Sequence, residues 1–242
     1  MTDETNCLAL RVIVPDPPEV GATVEVRPLV DGTDVVATGL PGKPAEPPFR
    51  LLAPETPLLA SSEPHEVRLA EAVCTEECCG ALYVTIRRDG DQIVWYGWRD
   101  PDSSDPELPD FRFDARQYRA EIDRARSDRS WEWTAYTVAR LLWRDLEQRP
   151  QPFERWSCLL SGVHSYPWER DRINIFFMYP RRPSSAEPWL QFRIVWPVTE
   201  TDPLTQAAEF AERIRTADPR ELGEICGGSP ENARQLGYSW PR

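Results

Sequence analysis

The chain is short of the residues that carry most enzyme chemistry. Its 242 residues include two histidines, His65 and His164, and one lysine, Lys43. A cysteine nucleophile needs a histidine within hydrogen-bond reach, so this route has only two possible bases. No G-x-S-x-G elbow occurs, which removes the common serine-hydrolase arrangement. Neither G-x-G-x-x-G nor G-x-x-x-x-G-K-[ST] occurs, so phosphate-cradling loops and the NTP chemistry built on them are not supported. No apolar run approaches 18 residues, and the opening Met1 to Cys7 segment has neither a basic nor an apolar region, which points to a soluble cytosolic protein. The scarcity of lysine among 28 basic residues reads as codon usage of a GC-rich bacterial genome and carries no function.

Positive charge is also scarce. Forty acidic residues against 28 basic ones give a net charge of −12, the wrong sign for a phosphate backbone, whose affinity comes from counterion release by cations. Nucleic acid is therefore excluded as the expected ligand. Residues 1–110 hold 21 acidic and 8 basic residues, whereas residues 111–242 hold 19 and 20. One half thus carries the whole imbalance. Such an asymmetry steers a basic partner when it is not merely a solubility device.

What is present is a large apolar inventory: ten Trp, eight Phe and seven Tyr, enough surface to bury a core. Leu8, Leu10 and Val12 alternate with Ala9, Arg11 and Ile13, the period of a half-buried strand. Val24, Val26 and Val30 lead to the turn dipeptide Asp31-Gly32, after which Val35 and Val36 continue a hairpin. Pro28 places that strand at a sheet edge. Seven prolines fall between Pro41 and Pro64, a linker or a surface loop. Residues 81–98 form a hairpin about Asp89-Gly90, with Ile86 facing Ile93 and Val84 facing Trp95, central to its sheet. Asp114 and Gln117 have capping-box spacing for a helix through Ser127, and Ser130 caps a second, the two forming a helical hairpin or a broken helix. Three strands follow, around Trp156–Leu160, Ile173–Tyr179 and Leu190–Trp196. Asp202-Pro203 and Asp218-Pro219 then start two helices. The expected class is α+β: antiparallel segments (an N-terminal β portion, the 81–98 hairpin and three C-terminal strands) packed with about four helices. The expected organisation is an N-terminal β portion, 1–64, ending in the Pro-rich stretch 41–64, then an α+β domain, 65–242, or both as one compact unit.

Three constellations compete as sites. Cys74, Cys78 and Cys79, with His65 upstream, offer soft ligands for zinc, but C-x-x-C pairs are absent, and adjacent Cys78 and Cys79 point apart on an extended backbone. Buried inert thiols are the simpler expectation. Asp100, Asp102, Asp105, Glu107, Asp110 and Asp114 resemble a calcium loop but lack its central glycine and closing glutamate, so they read as a solvated acidic loop. Tyr166 and Trp168 sit in a loop beside Arg155, Glu169 and Arg170, the setting of an interface anchor. The sequence therefore predicts a non-enzymatic protein-binding module of the immunity or inhibitor type, with no cofactor. It would set Asp100, Asp102, Asp105, Glu107 and Asp110, and the Tyr166 and Trp168 rings, against a basic partner. The alternative is a thiol- or zinc-dependent enzyme, or a zinc-stabilised domain, centred on Cys74, Cys78, Cys79 and His65.

Overall fold

Leu8 and Leu10 turn inward while Ala9 and Arg11 face solvent, so the alternating pattern becomes β1 (Leu8–Ile13), paired antiparallel with β2 (Glu25–Val30). Asp31 and Gly32 both take positive φ, 50° and 84°, as a tight hairpin turn requires. The hairpin that follows is cut short, because β3 is only Thr33–Asp34. Val35 and Val36 do not continue it as expected. Asp34 accepts the Ala37 N–H at 2.9 Å and caps α1 (Val35–Gly39), so this local hydrogen bond overrides the β preference of two valines. Sheet order β1-β2-β3 puts Pro28 on the middle strand, not an edge strand. It is tolerated because β3 reaches only to Leu29, leaving the proline without a ladder partner on that side.

The structure, a computed structural model, describes residues 5–53, 55–72, 80–102, 105–181 and 187–241. The chain is α+β, with three antiparallel sheets and, among the described residues, eight helices. It divides into two compact units, Met1–Trp131 and Glu132–Arg242.

In the first unit a four-stranded sheet has the order β4-β5-β6-β7: His65–Glu71, Ala81–Asp89, Gln92–Arg99 and Phe111–Asp114. The 81–98 hairpin is central, as its apolar faces predict. Its register differs from the expected one. Asp89 pairs with Gln92 and Ile86 with Trp95, so Gly90-Asp91 forms the turn and each residue from Thr85 to Asp89 meets a partner two positions further along, while a bulge between Tyr83 and Thr85 sets Tyr83 against Arg99. Between the bulge and the turn the side-chain faces are unchanged by that step. Gly90 has φ +62°, suiting a turn with glycine at its first central position. The Pro-rich stretch 41–64 packs into this unit: it holds α2 (Pro48–Leu51), buries Leu51, Leu52 and Leu58, and pairs Ala45 with Ala70. Helix α3 (Ala115–Ser127) starts where Asp114 accepts the Arg116 and Gln117 N–H groups, and it buries Tyr118, Ile122 and Ala125. Gln117 does not close a capping box. Its side chain instead donates to the Leu8 carbonyl at 2.8 Å, tying α3 to β1.

The second unit opens with α4 (Thr134–Gln148). Its cap position is Trp133, not Ser130, whose hydroxyl is spent on Asp128. The expected helical hairpin is thus divided between units. After α5 (Gln151–Glu154) come β8 (Leu159–His164), β9 (Arg172–Tyr179) and β10 (Leu190–Pro197). A fourth strand, β11 (Glu224–Gly227), extends the sheet to the order β11-β10-β9-β8. Helices α6 (Pro203–Thr216), α7 (Pro219–Leu222) and α8 (Pro230–Gln235) start with their prolines inside caps at Asp202, Asp218 and Ser229. Helix α6 packs on α4. Ile173, Ile175, Phe177, Phe192 and Ile194 bury themselves with Val138, Leu142 and Ile214, so these positions carry the predicted periodicities on strand and helix alike.

Candidate functional site

The acidic loop follows β6. Asp100, its first acid, is 7% exposed. One carboxylate oxygen accepts the Ala81 N–H at 3.2 Å and the Asp102 N–H at 3.1 Å. Gly80 lies against this carboxylate with φ +89°, and a Cβ there would stand 2.9 Å from both oxygens. Further along, Trp98 Nε1 donates to the Pro109 carbonyl at 2.9 Å, and Leu108 packs against the core. The loop is therefore pinned at its start and near its end. Asp102, Asp105, Glu107 and Asp110 are exposed, and no arginine among the described residues forms an ion pair with any of them. Some other carboxylates of the unit are engaged, Glu66 holding Arg99 through two bonds of 2.9 and 2.8 Å and Glu121 holding Arg124 at 2.7 Å, while Asp16, Glu19 and Glu63 are exposed like the loop acids.

Tyr166 and Trp168 lie beyond β8 in the second unit. Their rings stack at 4.6 Å between centroids and 7° between planes. His164 continues the stack, 6.0 Å and 17° from Tyr166, and also meets Phe176. A ladder of three rings results, built where β8 ends at His164 and the chain enters a turn closed by the Glu169 N–H on the Tyr166 carbonyl at 3.0 Å. Gly162 makes room for it, since a Cβ there would stand 2.2 Å from His164 Nε2. Burial pushes the His164 imidazolium below its ordinary pKa and the Tyr166 phenol above its own. Both groups are thus uncharged at neutral pH.

The thiol cluster Cys74, Cys78 and Cys79 lies outside the described residues. His65 is half-buried at the start of β4, and its Nε2 lies 2.7 Å from the Pro57 carbonyl oxygen. A carbonyl only accepts, so Nε2 carries the proton and a metal would have Nδ1 alone. Ala72 and Gly80, which flank the cysteines, sit at the other end of that strand, about 20 Å away at the usual rise. A ligand set joining His65 to those thiols has to bridge that length. Among the described residues, no three His, Cys, Asp or Glu side chains converge as a metal site, and no helix is long and apolar enough to cross a membrane. Cys158 is buried, which pushes its thiol up to about 12, while Cys7 and Cys226 are exposed.

Two clefts escape the sequence reading. In the first unit, Glu46, Arg50, Glu66, Arg68 and Tyr83 line one of about 320 Å³. Burial pushes the Glu46 carboxyl above its ordinary range, against the pull of its hydrogen bond from Arg68. In the second unit, Arg149, Arg155 and Arg215 line one of about 310 Å³. Each set is assembled from separated segments, so no local spacing announces it. Comparison with protein-family models, curated proteins and solved structures finds no match.

Proposed function

We propose that this chain is a non-enzymatic binding protein that presents the loop 102–110 to a basic protein surface. The supporting observation is how the loop is held. Asp100 and the Trp98–Pro109 bond hold the chain on either side of it, while Asp102, Asp105, Glu107 and Asp110 are exposed and form no ion pair among the described residues. A pinned loop loses little conformational entropy when a partner docks. Unneutralised charges raise the encounter rate. In an immunity or inhibitor role, four such carboxylates would complement the basic substrate-binding surface of a toxin-like enzyme. The Tyr166–Trp168 ladder offers a second recognition element of the kind interfaces use, a rigid aromatic pair with a polar tip.

The test uses a partner recovered on the immobilised chain from its own cell extract, followed by association kinetics. Replacing Asp102 and Asp105 by Asn and Glu107 by Gln should slow association severalfold at about 0.01 M salt, where the Debye length is about 30 Å, and hardly at all at 1 M, where it is about 3 Å. Dissociation should change less. An association rate that is independent of salt and unchanged in the triple variant would leave the acids as a solubility device and overturn the proposal.

A further inference from the structure

The cleft of the second unit has an all-cationic charged lining: Arg149, Arg155 and Arg215, with Gln151 and Pro152 completing the wall. Three elements deliver the guanidiniums. Arg149 is the residue that closes α4, Arg155 follows α5, and Arg215 lies in the last turn of α6. Cations suit helix C-termini, and Arg155 does donate to the Arg215 carbonyl at 2.9 Å. Terminal capping, however, does not absorb the charge. Asp145 gives one oxygen to Arg149 at 3.0 Å and the other to Arg215 at 2.6 Å, and Glu212 takes a second nitrogen of Arg215 at 3.1 Å. Arg155 has no carboxylate in ion-pair contact among the described residues. Asp218, whose charge it feels, is committed to Arg220 at 2.6 Å. Two carboxylates therefore face three guanidiniums. A positive surplus is held in a concavity, within a chain whose net charge is −12.

We propose that this cleft binds a small molecule carrying a compact multivalent oxyanion, a phosphate or diphosphate group in the first instance. A guanidinium presents five N–H donors in a fixed fork matched to such oxygens. Arg149 and Arg155 spend few of theirs within the protein. A volume of about 310 Å³ lies at the lower end of small-molecule sites, which suits one or two phosphate groups with a short attachment. The site is independent of the acidic loop, and either reading can fail without the other.

The test is calorimetric titration of the full chain with inorganic pyrophosphate and, in a separate arm, with citrate, each at an ionic strength held constant with chloride. Saturable one-to-one binding at about 1 mM or tighter is expected. Arg149→Gln and Arg155→Gln should each weaken it about tenfold, the size of one lost charge-assisted contact. Arg172→Gln, which removes an arginine paired with Asp171 at 3.0 Å outside the cleft, should leave it unchanged. The Arg149 side chain is 62% exposed, so that variant keeps the test valid should loss of the Arg155 capping bond unsettle the fold. Pyrophosphate binding without citrate binding marks a phosphate site, and arginine-dependent binding of both marks a general oxyanion site; each sustains the proposal. No saturable binding of either probe, or binding that survives both cleft substitutions, overturns it.

Discussion

Replacing Asp100 by alanine should damage the first unit far more than replacing any acid that follows it. The Asp100 side chain is buried, and its one oxygen satisfies two backbone donors, Ala81 N–H at 3.2 Å and Asp102 N–H at 3.1 Å. Asp102 is exposed, so water can replace the lost acceptor there. Ala81 is fully buried, and its orphaned N–H should cost about 1–3 kcal/mol. Adding the charged hydrogen bonds themselves brings the expected loss to about 2–4 kcal/mol. A unit of this size loses about 3–6 °C in melting temperature per kcal/mol, so Asp100→Ala should lower its transition by about 6–24 °C. Asparagine keeps the oxygen that accepts from Ala81 and Asp102 and exchanges the second oxygen for an amide NH2, so Asp100→Asn should cost less than Asp100→Ala, about 1 kcal/mol. Thermal and urea unfolding followed by circular dichroism separate the outcomes. An alanine variant within about 0.5 kcal/mol of the parent, or an asparagine variant as damaged as the alanine one, would refute the account of Asp100 as the loop's anchor.

Further outcomes follow from the two cores and from the cysteines. Tyr118→Phe leaves the Trp95 Nε1–H and the Leu58 carbonyl, at 3.1 and 2.8 Å from the present hydroxyl, unpaired in the core, and urea unfolding should show a loss of about 2–4 kcal/mol. Gly162→Ala drives a methyl group against His164 Nε2, and the near-ultraviolet circular dichroism of the Tyr166–Trp168 stack should change. Burial lowers the His164 pKa, so the unfolded chain binds the proton first. Stability of the second unit should hold above about pH 6.5, fall as pH drops below that unfolded value, and level off below the folded one, with a flatter profile in His164→Gln. If Cys74, Cys78 and Cys79 are structural thiols, chelation should leave the melting temperature unchanged. A collapse reversed by zinc would instead establish a metal site there.

Strands and helix starts were readable because their causes are local. Leu8, Leu10 and Val12 need only a two-residue period to declare a strand, and Asp114, Asp202 and Asp218 cap their helices with hydrogen bonds spanning two or three residues. The errors lie where two local rules compete. Val35 and Val36 favour strand by composition, but the Asp34 cap closes a helix over them. Asp89-Gly90 and Gly90-Asp91 are both acceptable turns, and tertiary pairing selects the second.

The sites were less legible because charge in a sequence says which groups are present and not which way they face. Asp100 and Asp102 stand two residues apart in one acidic run, yet the first is an internal acceptor and the second a solvated charge. The difference is made by Ala81, nineteen positions away, whose N–H needs an acceptor once β5 is buried. The arginine cleft has the same origin: Arg149 and Arg215 are brought together by the packing of α4 on α6 and by a shared carboxylate, Asp145. Long-range backbone and packing demands thus sort identical side chains into internal anchors and solvent-facing groups. It follows that the net charge of a half chain overstates the charge it leaves exposed. Of the acids in the loop, only those left over after the backbone has been satisfied remain to meet a partner, and the association kinetics should respond to Asp102, Asp105 and Glu107 while the folding equilibrium responds to Asp100.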